Sequence, residues 1–137
     1  MANATGGCMC GAVRYECSAA PMFMGNCHCR DCQRASGSGY APAIGVPRSA
    51  VKITGDVKYF ESKADSGSMA RRGFCPNCGS RLFSMPPFAP DLMVILASSL
   101  DDPSIFKPGM DIYTTSAQPW DHMNPALQKF PKMPPMG

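Results

Sequence analysis

Eight of the 137 residues are cysteines, and seven of them come in tight clusters. Cys27, Cys29 and Cys32 lie in the stretch CHCRDC, Cys8 and Cys10 in CMCG, and Cys75 and Cys78 in CPNCG; Cys17 stands alone. A soft-ligand metal site needs several thiolate sulfurs about 2.3 Å from one point, which clustered cysteines can supply. The even count in a small chain also raises a disulfide framework. The spacing argues against it, because neighbours within a cluster would be strained if bridged and a triplet leaves one sulfur over. The sulfur-rich ligand sets favour zinc over magnesium or calcium, with two ions per chain expected.

The two pairs make one closed site. In CPNCG a tight turn aims both sulfurs at one place, Gly79 is free to take a positive φ, and backbone N–H groups can donate to the thiolates. Cys8 and Cys10, followed by Gly11, form the matching half. A metal held by Cys8, Cys10, Cys75 and Cys78 would close a loop over the 64 residues between the pairs. Such a cross-link stabilises a small core, and the expected role is structural.

The triplet is one ligand short. Three protein ligands and one exchangeable position is the pattern of catalytic zinc, so Cys27, Cys29 and Cys32 are the expected catalytic metal ligands. The competing reading is a second structural ion with a fourth protein ligand from Cys17, His28 or His122. His28 lies between two cysteines and should point away from an ion that both of them face. Cys17 ends a strand-like run and reads equally as a small buried hydrophobe. A three-thiolate zinc is a weak Lewis acid matched to a soft ligand such as another sulfur, and a thiol bound there loses its proton at neutral pH. Arg30, Arg34, Arg71, Arg72 and Arg81 surround the clusters in sequence. They could offset the thiolate charge or grip the carboxylates of an anionic thiol, or simply form a solvated face. Asp31 and His122 are candidates for moving a proton.

The elements that must position these residues read as strands and turns. AVRYEC (12–17) alternates apolar and polar residues. VKITGDVKYFES (51–62) reads as two β-rich runs around Gly55-Asp56, a hairpin signal. SMARRGF and SRLFSM flank the CPNCG turn as a second hairpin. DLMVILASSL (91–100) is apolar, and its Val/Ile content and flanking prolines favour a buried strand over a helix. DIYTT (111–115) reads as a further strand. Only CRDCQRAS (29–36) reads as helical, at most two turns. The tail 124–137 carries four of the fourteen prolines and should wrap the surface as an extended segment, be partly mobile, or equally cover part of the core.

The chain is long enough for one domain with one modest core. No apolar run approaches the roughly 20 residues that span a bilayer. The N-terminus has neither a basic n-region nor an apolar h-region, so no secretory leader is expected and the reading is cytoplasmic, with no membrane partner. A net charge of +3 is too small to argue for nucleic acid. Nothing in the sequence dictates an oligomeric state.

At GGCMCGAVRYEC, CHCRDCQRASGS, RRGFCPNCGSRLF and PWDHMNPAL the sequence resembles the glutathione-dependent formaldehyde-activating enzyme family, which includes centromere protein V. The likeness runs from about residue 6 to about residue 130 and keeps the motif order. It implies a single mainly β domain over 1–137, with small antiparallel sheets around two zinc–cysteine sites and a short helix near the second. By resemblance, Cys8, Cys10, Cys75 and Cys78 hold the structural zinc and Cys27, Cys29 and Cys32 the catalytic one. It also implies a carbon–sulfur lyase acting on a small thiol adduct, of the type glutathione plus formaldehyde giving S-hydroxymethylglutathione. The alternative is a zinc-stabilised binding or scaffolding module.

Overall fold

The computed structural model describes residues 4–64 and 66–134. The two ends of the expected domain, 1–3 and 135–137, lie outside the described residues. Among the described residues there are eleven strands and one α-helix, arranged as two sheets.

The first sheet has three strands, β1 (Ala4–Gly7), β2 (Arg14–Cys17) and β5 (Val51–Thr54), with β2 in the middle. Strand β2 buries Tyr15 and Cys17 and exposes Arg14 and Glu16, the alternation of a strand with one face on a core. The second sheet has eight strands in the order β11-β10-β3-β4-β9-β8-β7-β6. Its members are β3 (Phe23–Cys27), β4 (Ala41–Pro47), β6 (Lys58–Lys63), β7 (Met69–Phe74), β8 (Arg81–Met85), β9 (Leu92–Leu96), β10 (Met110–Ile112) and β11 (Gln128–Lys129). Most pairings are antiparallel, but β10 runs parallel to both β3 and β11. The late chain therefore returns to lie beside the strand that ends in Cys27.

The apolar run LMVIL becomes β9, paired with β4 on one side and β8 on the other. Four of its five side chains are buried, which explains why it lacks alternation. The chain then tightens into a 3-10 turn at Ala97–Ser99. Strands β7 and β8 form the expected hairpin around CPNCG. The core joins the sheets through Val13, Tyr15, Cys17, Ile44, Val46, Leu82, Phe83 and Ile95. Tyr15 of the first sheet meets Phe83 of the second edge-on, with ring centroids 5.3 Å apart, a favoured aromatic geometry.

Two expectations are corrected. The runs around Gly55-Asp56 do not pair with each other: β5 pairs with β2, and β6 pairs with β7. Gly55 takes φ +100° and packs against the Ala12 carbonyl, turning the chain out of one sheet into the other. The strand expected over 111–115 ends at Ile112. Tyr113 adopts the left-handed region at φ 56°, and Thr114–Ser116 form a 3-10 turn instead. Its backbone is occupied there by the tail, with Tyr113 N–H donating to Lys132 O and Thr114 N–H to Phe130 O. In the described tail, Gln128–Lys129 form β11 beside β10, and the carbonyls of Phe130, Pro131 and Lys132 accept from the turn after β10. Among the described residues no helix is long and apolar enough to cross a membrane.

Candidate metal centres

The sulfurs of Cys8, Cys10, Cys75 and Cys78 lie within 4.8 Å of one another. Cys8 Sγ and Cys10 Sγ are 3.6 Å apart, and Cys10 Sγ and Cys75 Sγ 3.8 Å. Four sulfurs placed tetrahedrally about 2.3 Å from an ion would be about 3.8 Å apart, so this set fits zinc. All eight cysteines are free thiols in the structure, which removes the disulfide framework. The loops hold the sulfurs through donors: Val13 N–H to Cys8 Sγ at 3.2 Å, Asn77 N–H to Cys75 Sγ at 3.4 Å, and the Asn77 side-chain amide to Cys10 Sγ at 3.3 Å. Ser80 ties the halves together, accepting from Met9 N–H at 3.0 Å and lying 3.2 Å from Cys78 Sγ. Its hydroxyl and N–H hold the Cys78 thiol down at about 5. Gly11 and Gly79, one after each pair, take φ +82° and +78°, the left-handed turn that glycine adopts without a Cβ clash.

The sulfurs of Cys27, Cys29 and Cys32 form a second group, also within 4.8 Å of one another. Cys27 ends β3, Cys29 caps the helix α1 (Arg30–Ser36) and Cys32 sits in its first turn. Cys29 Sγ accepts from Cys32 N–H at 3.3 Å, the usual N-cap contact made here by sulfur. Hydrogen bonds from Cys27 and Cys32 draw the Cys29 thiol to about 2 against the effect of burial. Hydrogen bonds with Cys29 and Cys32, together with burial, push the Cys27 thiol up.

None of the three candidate fourth ligands joins this group among the described residues. Cys17 is fully buried in the core, its thiol directed to Ala19 O at 3.6 Å. His122 is exposed. His28 is buried and points away from the triplet's sulfurs, as its position between two cysteines requires. Its Nδ1 lies 2.6 Å from Asp121 Oδ2 and its Nε2 2.8 Å from Asp111 Oδ1. Lys129 Nζ is 2.7 Å from the other Asp111 oxygen. Burial favours a neutral Asp111, but hydrogen bonds from Lys129, His28 and Asn26 outweigh it and keep the carboxyl below its ordinary value. Gln33 of α1 adds a second clasp, donating to His28 O at 2.7 Å and to Ser116 O at 2.9 Å.

A cavity of about 350 Å³ borders α1, with none of the three cysteines in its lining. Its lining includes Asp31, Arg34, Phe60, Arg72, Phe74 and Arg81. Arg72 acts through space on Cys29 and Cys32, favouring their thiolates. Arg34 makes no hydrogen bond or ion pair among the described residues, and the buried Nε of Arg81 has no partner. Burial lowers the Arg81 pKa, and Arg72 lowers it further. Arg71 is used elsewhere, stacked over Tyr59 at 4.4 Å, and Arg30 bonds to Gln33.

A family model described as "glutathione-dependent formaldehyde-activating enzyme" matches residues 3–116, a span that holds both cysteine groups. The chain belongs to that family. A relative from Halomonas elongata is 32% identical over 101 residues, covering 70% of this chain and 64% of its own length. That protein provisionally carries the same enzyme name. The alignment therefore spans just under two thirds of that relative. A Rhodobacter sphaeroides protein of known crystal structure shares the fold, with a TM-score of 0.57 at 22% identity over 71% of this chain and 87% of that one.

In this member of the glutathione-dependent formaldehyde-activating enzyme family, the spacing of the cysteines foretold both groups. Asp111, Asp121, Gln33 and Lys129 were not foreseen. One signal was available: a histidine between two inward-facing cysteines must face elsewhere and needs partners there. Nothing in the local sequence says which distant residues supply them.

Proposed function

We propose that the chain is a zinc-dependent carbon–sulfur lyase acting on a small thiol adduct, of the type that joins glutathione and formaldehyde as S-hydroxymethylglutathione. The observation that carries this reading is a three-sulfur group without a fourth protein ligand among the described residues, on which Arg72, one of three guanidiniums lining a cavity next to α1, acts through space. Cys8, Cys10, Cys75 and Cys78 would hold a structural ion, and Cys27, Cys29 and Cys32 the working one. Zinc held by the triplet would supply an open position suited to sulfur and would lower the pKa of a thiol placed there.

The chain's own residues have complementary parts. Guanidiniums without carboxylate partners in a partly buried cavity repel one another, and an anionic ligand relieves that repulsion. Arg34, Arg72 and Arg81 would bind the carboxylates of a peptide thiol such as glutathione. Phe60 and Phe74 would line the same cavity with apolar surface. In the forward direction the thiol sulfur bonds to the aldehyde carbon and the carbonyl oxygen gains a proton. The reverse breaks that carbon–sulfur bond. The same arginines are placed to steady charge developing on the oxygen. Asp31 lines the cavity and is the better placed candidate to pass the proton, since His122 does not line it.

The test is to load the protein with cobalt and titrate it with glutathione and with simple thiols. The sulfur-to-cobalt absorption should change on thiol addition, and the change should vanish in Cys29→Ser. Adduct formation from glutathione and formaldehyde should exceed the spontaneous rate and fall in Arg72→Met. A spectrum indifferent to every thiol would point instead to a binding or scaffolding module.

A further inference from the structure

The most unusual polar feature of the molecule lies behind the triplet. Among the described residues, His28, Gln33 and Asp111 are the buried polar or charged side chains, and all three meet around the Cys27–Cys29 turn. His28 is 1% exposed and Asp111 1% exposed. A buried charged network on this scale is costly unless every member is paired. Here the ring is held from both sides, by Asp111 of β10 and by Asp121 of the following loop, and Lys129 of β11 pairs with Asp111.

The backbone of the same turn is held as firmly. His28 N–H donates to Ile112 O at 3.0 Å, and His28 O accepts from Gln33. Gly39 provides the room for Asp121: a Cβ at Gly39 would stand 3.1 Å from the Asp121 carboxyl carbon. The turn so held is the one whose flanking residues, Cys27 and Cys29, project their sulfurs toward Cys32. Rotation about this turn would separate two of the three sulfurs, whereas the four-sulfur group stands on other loops.

We propose that His28, anchored by Asp111 and Asp121, is a positioning residue for the three-sulfur site: it fixes the Cys27–Cys29 turn and so sets that site's metal affinity and geometry. Its purpose is not general stability of the fold. The inference rests on the reading of the triplet as a metal site. Partners that orient metal ligands through a second layer of hydrogen bonds typically contribute about ten- to hundredfold in affinity. His28, Gln33 and Asp111 lie within the span matched by the family model, and Asp121 and Lys129 beyond it.

The experiment measures zinc affinity at each site, by competition with a chromophoric chelator, in wild type, Asp121→Ala, Asp121→Asn and His28→Asn. Asp121→Ala should weaken binding at the triplet by about ten- to hundredfold while the four-cysteine site keeps its ion. Its cobalt form should show an altered spectrum for the triplet alone. Asp121→Asn, which keeps an acceptor oxygen of the same shape, should recover most of the loss. Unchanged triplet affinity and spectrum in Asp121→Ala and His28→Asn would overturn the proposal. So would loss of both ions together with the fold, which would assign the network to stability. A wild-type protein that binds a single ion would remove both the metal reading and this inference. A wild type with two ions and insensitive variants would remove the inference alone.

Discussion

Replacing Cys75 or Cys29 by serine changes one sulfur to oxygen, yet the two changes should have opposite reach. Cys75 is fully buried in a group whose ion would fasten two distant loops. Binding of zinc to such sites is worth on the order of 10 kcal/mol of folding energy, comparable with the entire stability of a small domain. Cys75→Ser should therefore give little folded protein, as read by circular dichroism and yield. Cys29 sits at the partly exposed start of α1, and serine is itself a good N-cap. Cys29→Ser should keep the helix and the fold and lose the triplet's ion, as read by metal stoichiometry and a thermal melt. The seven clustered cysteines were legible in the sequence because metal ligation imposes short, regular spacings. Asp111 and Asp121 were not, since a carboxylate recruited from more than eighty residues away leaves no local pattern.

At the scale of elements, the crossing between sheets depends on Gly55. Its φ of +100° lies in the region that favours glycine, and a Cβ there would stand 2.1 Å from the Ala12 carbonyl oxygen. Gly37, which ends α1, also has a positive φ, but a Cβ there meets nothing within 4 Å. Gly37→Ala should cost the left-handed strain alone, about 1–2 kcal/mol. Gly55→Ala should cost that and the backbone clash, so its urea midpoint should fall clearly further. The same turn shows why the expected hairpin was misplaced. Gly-Asp between two β-rich runs is a sound turn signal, but pairing is decided by which neighbours have unpaired edges, and β2 and β7 were those neighbours. The CPNCG hairpin and β9 were legible because their constraints are local: a metal-binding turn, and a run too apolar to face water.

The two sheets act as one molecule through Tyr15, which reaches from the first to Phe83 in the second. Its hydroxyl lies 2.7 Å from Ser99 Oγ. Burial pushes the phenol up to about 12 from an ordinary 10.0, and the Ser99 contact offsets this only in part. The folded pKa is above the unfolded one, so the neutral phenol's contribution is complete below pH 10 and is lost as pH rises from 10 toward 12. A denaturation midpoint followed against pH should fall over that window. Tyr15→Phe should flatten this part of the fall while altering stability little at neutral pH, because Ser99 still donates to Leu96 O at 2.7 Å.

The parallel return of β10 beside β3 sets an order of events during synthesis. All four ligands of the closed site have left the ribosome soon after Cys78, and that clamp can form on a nascent chain. The triplet is translated earlier than Cys78, but its brace waits for Asp111, Asp121 and finally Lys129. Three thiols thus emerge well before the network that supports them, which is complete only once Lys129 has been made. The closed site can therefore be complete while the open site, although its cysteines precede Cys75 and Cys78, still waits for its brace.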